Sequence, residues 1–132
     1  MQIDMIRRLI ALLLTCILAA CSASNTLDSV SLDEARAAHE SGKVLLIDIR
    51  ERREHLTGVA QGVVLLPMSE LPQKNSLIPK DPAQPVLLIC NTQNRSKATL
   101  EMLKQQGYQN IRYVEGGMSQ WAAKGWPMVA PN

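Results

Sequence analysis

From about residue 28 onward the chain is a series of short apolar runs separated by amphipathic stretches. Residues 44–49 read Val-Leu-Leu-Ile-Asp-Ile, and Val86–Ile89 follow Pro85 with no polar residue among them. Runs of this kind suit strands of a parallel sheet covered on both faces. Residues 63–66 form a shorter run that ends at Pro67, and Ile111–Val114 reads as the last strand. Helical patterns lie between. Ser31-Leu32-Asp33-Glu34 is a capping box, Ser at the N-cap and Glu three residues later, and predicts a helix over Leu32–Glu40 that stops at Ser41-Gly42. Residues 51–56 read as a short charged helix. From Ser96, the apolar Ala98, Leu100, Met102 and Leu103 mix with Lys97, Glu101 and Lys104 until Gly107, which predicts a second long helix. Residues 118–124 predict a final helix with Trp121 as its core anchor. The stretch 68–81 is punctuated by Pro72 and Pro79, with Pro82 just beyond; it reads as a connector with helical turns at 69–71 and 75–78. Strands alternating with helices predict a single doubly wound α/β domain with a parallel sheet.

The first 21 residues break this pattern. Arg7 and Arg8 precede an apolar stretch at 9–18, too short for an ordinary membrane span, and the small residues Ala19 and Ala20 follow. This is a bacterial-type export signal, although Asp4 is unusual in such a place and Met5 is an alternative start. Leu18-Ala19-Ala20-Cys21 resembles the lipobox of bacterial lipoproteins, in which cleavage leaves a lipid-bearing cysteine as the first residue. The expectation is a signal peptide over 1–20, lipidation at Cys21, a tether over 21–27 and a domain over 28–130. The alternative is an ordinary cleaved signal with a cysteine near its end by chance. Ser22 after that cysteine, rather than Asp, resembles lipoproteins sent to the outer membrane. The expected location is therefore the cell envelope, facing the periplasm, with the membrane reached through the lipid anchor alone.

Composition narrows the function classes. The chain has 132 residues and a formal net charge of +2, so one domain is expected and no nucleic-acid footprint is suggested. Phe is absent, which leaves the core to Leu, Ile, Val, Ala and Met. Of the 3 cysteines, Cys16 leaves with the signal and Cys21 carries the lipid, so Cys90 is the one free thiol and no internal disulfide is expected. An isolated thiol in an oxidising compartment is exposed to oxidation unless it is used or buried. With 2 histidines and no zinc spacing, no metal site is expected, and no glycine-rich phosphate motif appears.

Cys90 stands at the carboxyl end of the 86–89 strand, where open α/β sheets place their ligands. A short polar loop and a helix start follow it. Backbone N–H groups of the loop, the helix N-terminus and the cation of Arg95 all favour thiolate over thiol, which makes Cys90 a candidate nucleophile. The same N–H cradle suits an anionic substrate or a charged sulfur adduct. The bland alternative, a small apolar residue ending a strand, leaves the loop, Arg95 and the helix start unexplained.

Three stretches carry a family resemblance. Cys90-Asn91-Thr92-Gln93-Asn94-Arg95-Ser96 resembles the active-site loop of the rhodanese family of sulfurtransferases. Leu46-Ile47-Asp48-Ile49-Arg50 with Glu51 and Glu54 is similar to that family's early strand, with its Asp-x-Arg and following Glu. Gly116-Gly117-Met118-Ser119-Gln120-Trp121 with Gly125-Trp126-Pro127 resembles its C-terminal ending. The resemblance implies five strands with helices on both faces and sulfur transfer through a Cys90 persulfide. The implied partners are a small anionic donor such as thiosulfate and a thiol or cyanide acceptor, a protein thiol included. No cofactor is required. Asn91, Thr92, Gln93, Asn94 and Ser96 would bind substrate. Arg95 would lower the thiol's proton affinity, steer the donor or brace the loop. Arg50 either joins the anion site or closes a local ion pair with Asp48. For Asp48 and Glu54 the resemblance implies scaffolding; His39 reads as a surface residue rather than a ligand, and His55 as structural. The loop has four residues between Cys90 and Arg95, one fewer than in the related phosphatases and arsenate reductases, which fits sulfur rather than a larger oxyanion. Two departures stand out: Gln93 where many family loops have glycine, and Gly58-Val59-Ala60 where many members have Gly-His-Ile. The competing function class is a binding module that does no chemistry or only carries persulfide to a partner.

Overall fold

The structure, a computed structural model, describes residues 27–132. The expected export signal, Cys21 and the expected tether up to residue 26 lie outside the described residues. Five strands form one fully parallel sheet: β1 (Ser29–Val30), β2 (Leu45–Asp48), β3 (Val64–Leu65), β4 (Val86–Ile89) and β5 (Ile111–Val114), in the order β1-β5-β4-β2-β3. β4 is central and buried at all four positions. The helices are α1 (Leu32–Glu40), α2 (Arg52–His55), α3 (Leu71–Lys74), α4 (Asn94–Gln105) and α5 (Gly117–Ala123), and 3-10 turns flank α3 at Met68–Glu70 and Asn75–Leu77. Among the described residues no helix is long and apolar enough to cross a membrane.

The sheet divides two apolar cores. Because strand side chains alternate between faces, Val86, Leu88 and Cys90 enter one cluster with Ile47, Ile49, Leu66, Leu71, Leu100, Leu103 and Tyr108. Leu87 and Ile89 enter the other with Val30, Leu32, Ala35, Val114, Met118 and Trp121. So α4 and the 68–78 connector cover one face, and α1 and α5 the other. This is the expected architecture, with helices on both faces.

The expected elements recur with small shifts. α1 starts as its capping box predicts: Glu34 N–H donates to Ser31 Oγ at 3.2 Å, and Ser31 N–H to Glu34 Oε2 at 3.1 Å. α4 begins at Asn94 rather than Ser96, because Lys97 N–H already donates to Gln93 O at 2.9 Å. α5 begins one residue before the expected start, at Gly117. The fifth strand, β1, has only two residues, too few for any periodicity to show. At the Val59-Ala60 departure the chain pairs with the C-terminal segment: Val59 and Val129 exchange backbone hydrogen bonds at 2.9 and 2.8 Å.

Candidate active site

β2, β3, β4 and β5 all end at the same edge of the sheet, and Cys90 follows β4 at its middle. The residue is 1% exposed. Two groups of Ser96 reach it: the N–H donates to Sγ at 3.4 Å, and the hydroxyl lies 3.4 Å away. Ser96 is itself fully buried, and its hydroxyl also donates to Gln93 O at 3.0 Å.

The loop owes its orientation to α5. Met118 N–H donates to Cys90 O at 2.8 Å and Ser119 N–H to Asn91 O at 2.9 Å. These are N–H groups of the first turn of α5, which have no partner inside the helix. Gly117 sits closest: a Cβ there would lie 2.2 Å from Thr92 O. The carbonyls of Cys90, Asn91 and Thr92 therefore all face α5. In a trans peptide the N–H points opposite to the C=O, so the N–H groups of Asn91, Thr92 and Gln93 are turned to the other side of the loop. Among the described residues the N–H groups of 91–95 donate to no protein acceptor. Five neighbouring donors next to a helix N-terminus form an anion cradle. The side chains of Asn91, Thr92, Gln93 and Asn94 are exposed.

Arg95 braces the loop. It donates two parallel hydrogen bonds to Glu54, Nη1 to Oε2 and Nη2 to Oε1, both at 2.7 Å. Glu54 also accepts from Glu51 N–H at 2.9 Å. The Arg95 bond and that N–H hold the Glu54 carboxyl well below its ordinary range, at about 2, and Glu54 in turn raises the Arg95 guanidinium. Of the three roles open to Arg95, bracing is the one with a bond behind it. Glu51, for its part, accepts from Ser69 N–H and hydroxyl at 3.1 and 2.8 Å, which joins α2 to the connector.

Arg50 is not in the cradle. It is 3% exposed and donates to Asp48 through Nε and Nη2, the latter at 2.7 Å, to Gly58 O at 2.9 Å and to Glu54 O at 3.4 Å. A cation buried after a strand end needs a carboxylate this close, and Asp48, fully buried, supplies it. Of the two readings open for Arg50, the anion site and the local ion pair with Asp48, the structure shows the ion pair. His55 is buried beside this pair, with Nε2 3.5 Å from Asp48 Oδ1. His39 lies far along the chain from the loop, with Nε2 2.7 Å from Gln61 O.

Two participants escaped the sequence reading. Glu54 read as local scaffolding, whereas its partner is Arg95, 41 positions away. Gly116-Gly117 read as part of the C-terminal ending, whereas Gly117 is the surface on which the loop lies. The signals were the Glu after Asp-x-Arg and the doubled glycine, but neither names its partner. Among the described residues no three His, Cys, Asp or Glu side chains converge as metal ligands would.

A family model described as the rhodanese-like domain matches residues 31–124. A sulfurtransferase of Allochromatium vinosum is 39% identical over 108 residues, which are 82% of this chain and 97% of that protein. A rhodanese-related protein from Thermoplasma volcanium has the same fold with a TM-score of 0.68 at 31% identity, over 78% of this chain and 98% of its own. The human single-domain sulfurtransferase superposes with a TM-score of 0.63 at 27% identity, over 74% of this chain and 96% of its own.

Proposed function

The chain belongs to the rhodanese-like family of sulfurtransferases, and on that footing we propose that it moves a sulfane sulfur from an anionic donor to a thiol or cyanide through a Cys90 persulfide. The Cys90 thiolate attacks the outer sulfur of a donor such as thiosulfate. The S–S bond breaks, sulfite leaves with its electron pair, and the terminal sulfur of the new persulfide carries the negative charge. An acceptor thiolate or cyanide then attacks that sulfur. The acceptor leaves as a persulfide or thiocyanate, and the Cys90 thiolate is restored. Charge and electrons balance in both steps with no added oxidant, reductant or cofactor.

One observation carries this reading. Cys90 lies at the root of a loop whose carbonyls face α5 and whose N–H groups 91–95 have no protein acceptor among the described residues. Oriented dipoles of this kind stabilise negative charge without reorganising when it arrives. The persulfide anion and the departing sulfite are such charges. Ser96 adds an N–H and a hydroxyl at the sulfur itself. We also propose that the domain works at the cell envelope on the periplasmic side, held by a lipid on Cys21.

The test is intact mass before and after thiosulfate, on wild type and Cys90→Ser. The expected result is a gain of one sulfur atom on the wild type alone, reversed by reductant. An alkylatable Cys90 that takes up no sulfur from any sulfane donor would sink the enzymatic reading and favour a binding module.

A further inference from the structure

We propose that Gln93 is a positioning residue for the chemistry at Cys90: its side chain latches the middle of the loop to the β5–α5 turn and keeps the loop N–H groups aimed at an anion. The latch is a hydrogen bond from Gly116 N–H to Gln93 Oε1 at 3.0 Å. It joins residues 23 apart in sequence. The backbone ties between loop and α5 reach only as far as Asn91 O. Beyond that point the loop has no other bond to α5, so the Gln93 side chain extends the fixed region across the residues whose N–H groups face outward. A glycine, which many loops of the family carry here, offers no such acceptor.

Gln93 also connects to the sulfur. Its backbone O accepts from Lys97 N–H at 2.9 Å and from the Ser96 hydroxyl at 3.0 Å, and Ser96 touches Cys90 Sγ. A shift of Gln93 therefore moves both the first hydrogen bond of α4 and the hydroxyl beside the thiol. The latch acts through other groups and need not touch the substrate. The proposal rests on Cys90 as the reacting group beneath the N–H cradle.

The test uses Gln93→Met, which keeps the length and loses the acceptor, and Gln93→Gly. Hydrogen exchange at the Gly116 amide reports the latch. Alkylation of Cys90 by iodoacetate, an anion, and by iodoacetamide, which is neutral, reports the cradle, with the Cys90 peptide followed by mass. With one hydrogen bond removed, the Gly116 amide should exchange faster and the iodoacetate rate should fall about three- to tenfold, while iodoacetamide changes less than about twofold. A role in stability alone would move both reagents together. Parallel changes, no change in either rate, or an unaltered Gly116 amide would each overturn the proposal. No sulfur donor is used, so a failure of persulfide formation and a failure of the latch are read separately.

Discussion

A methyl group on Gly117 would meet Thr92 O, Cys90 O and Asn91 O at 2.2, 2.5 and 2.6 Å, all of them backbone atoms of the loop. The residue also holds φ +61, which side chains other than glycine's adopt only with strain. Strain of that kind costs about 1–3 kcal/mol before any clash is counted. Gly117→Ala should therefore lose at least about 2 kcal/mol in urea unfolding, and its Cys90 should lose the preference for anionic reagents. At Gly116 the nearest atoms belong to the Gln120 side chain, the closest at 3.0 Å, and that side chain can turn away. Gly116→Ala should cost less than Gly117→Ala in the same measurement. At this scale the sequence pointed to a candidate nucleophile and hid its contacts. Cys90 was readable because a strand end, a polar loop and a helix start adjoin it. Arg50 stayed open between two readings because its charge and position suit an anion site equally well until Asp48 is seen to take its Nε and Nη2 donors.

Between elements, the bond that matters is the one from α4 to α2. Arg95 and Glu54 are 34% and 28% exposed, so solvent screening keeps the pair to about 1 kcal/mol. Its pH dependence has a definite sign. The folded Glu54 carboxyl is held down to about 2 from an ordinary value near 4.5. Its contribution is thus whole above about pH 5 and is lost as the pH falls through 4.5 toward 2. Glu54→Gln should be less stable than wild type near neutrality, and the difference should shrink across that window in melts taken from pH 6 to pH 2. A constant difference would mean that the pair does not titrate with folding. The elements themselves were largely legible. Val86–Ile89 is apolar throughout because β4 is buried on both faces, and α1 announces its start with Ser31 and Glu34. What stayed hidden had no periodicity to show. β1 is two residues long, and the first turn of α4 holds Asn94 and Arg95 outside any apolar pattern.

For the whole molecule, the parallel sheet separates two ends. Every strand runs toward the edge that carries Cys90, and β1 pairs in parallel with β5 through Ser29–Tyr113 and Val30–Val114. The chain therefore enters the domain at the opposite edge, where Asp28 meets Lys104 near the end of α4 at 2.6 Å. If Cys21 bears the lipid, Cys21→Ser should abolish incorporation of labelled fatty acid into the protein, with Cys90 reactivity unchanged. Undiminished incorporation in the variant would refute the anchor. The direction of the strands then sets how such a molecule stands on a bilayer. Six residues separate Cys21 from Asp28, at most roughly 24 Å of extended chain, and they attach on the side away from the cradle. A domain tethered there would carry its thiol at the end of the sheet away from the attachment point, on the side open to soluble donors and to thiols carried by other proteins.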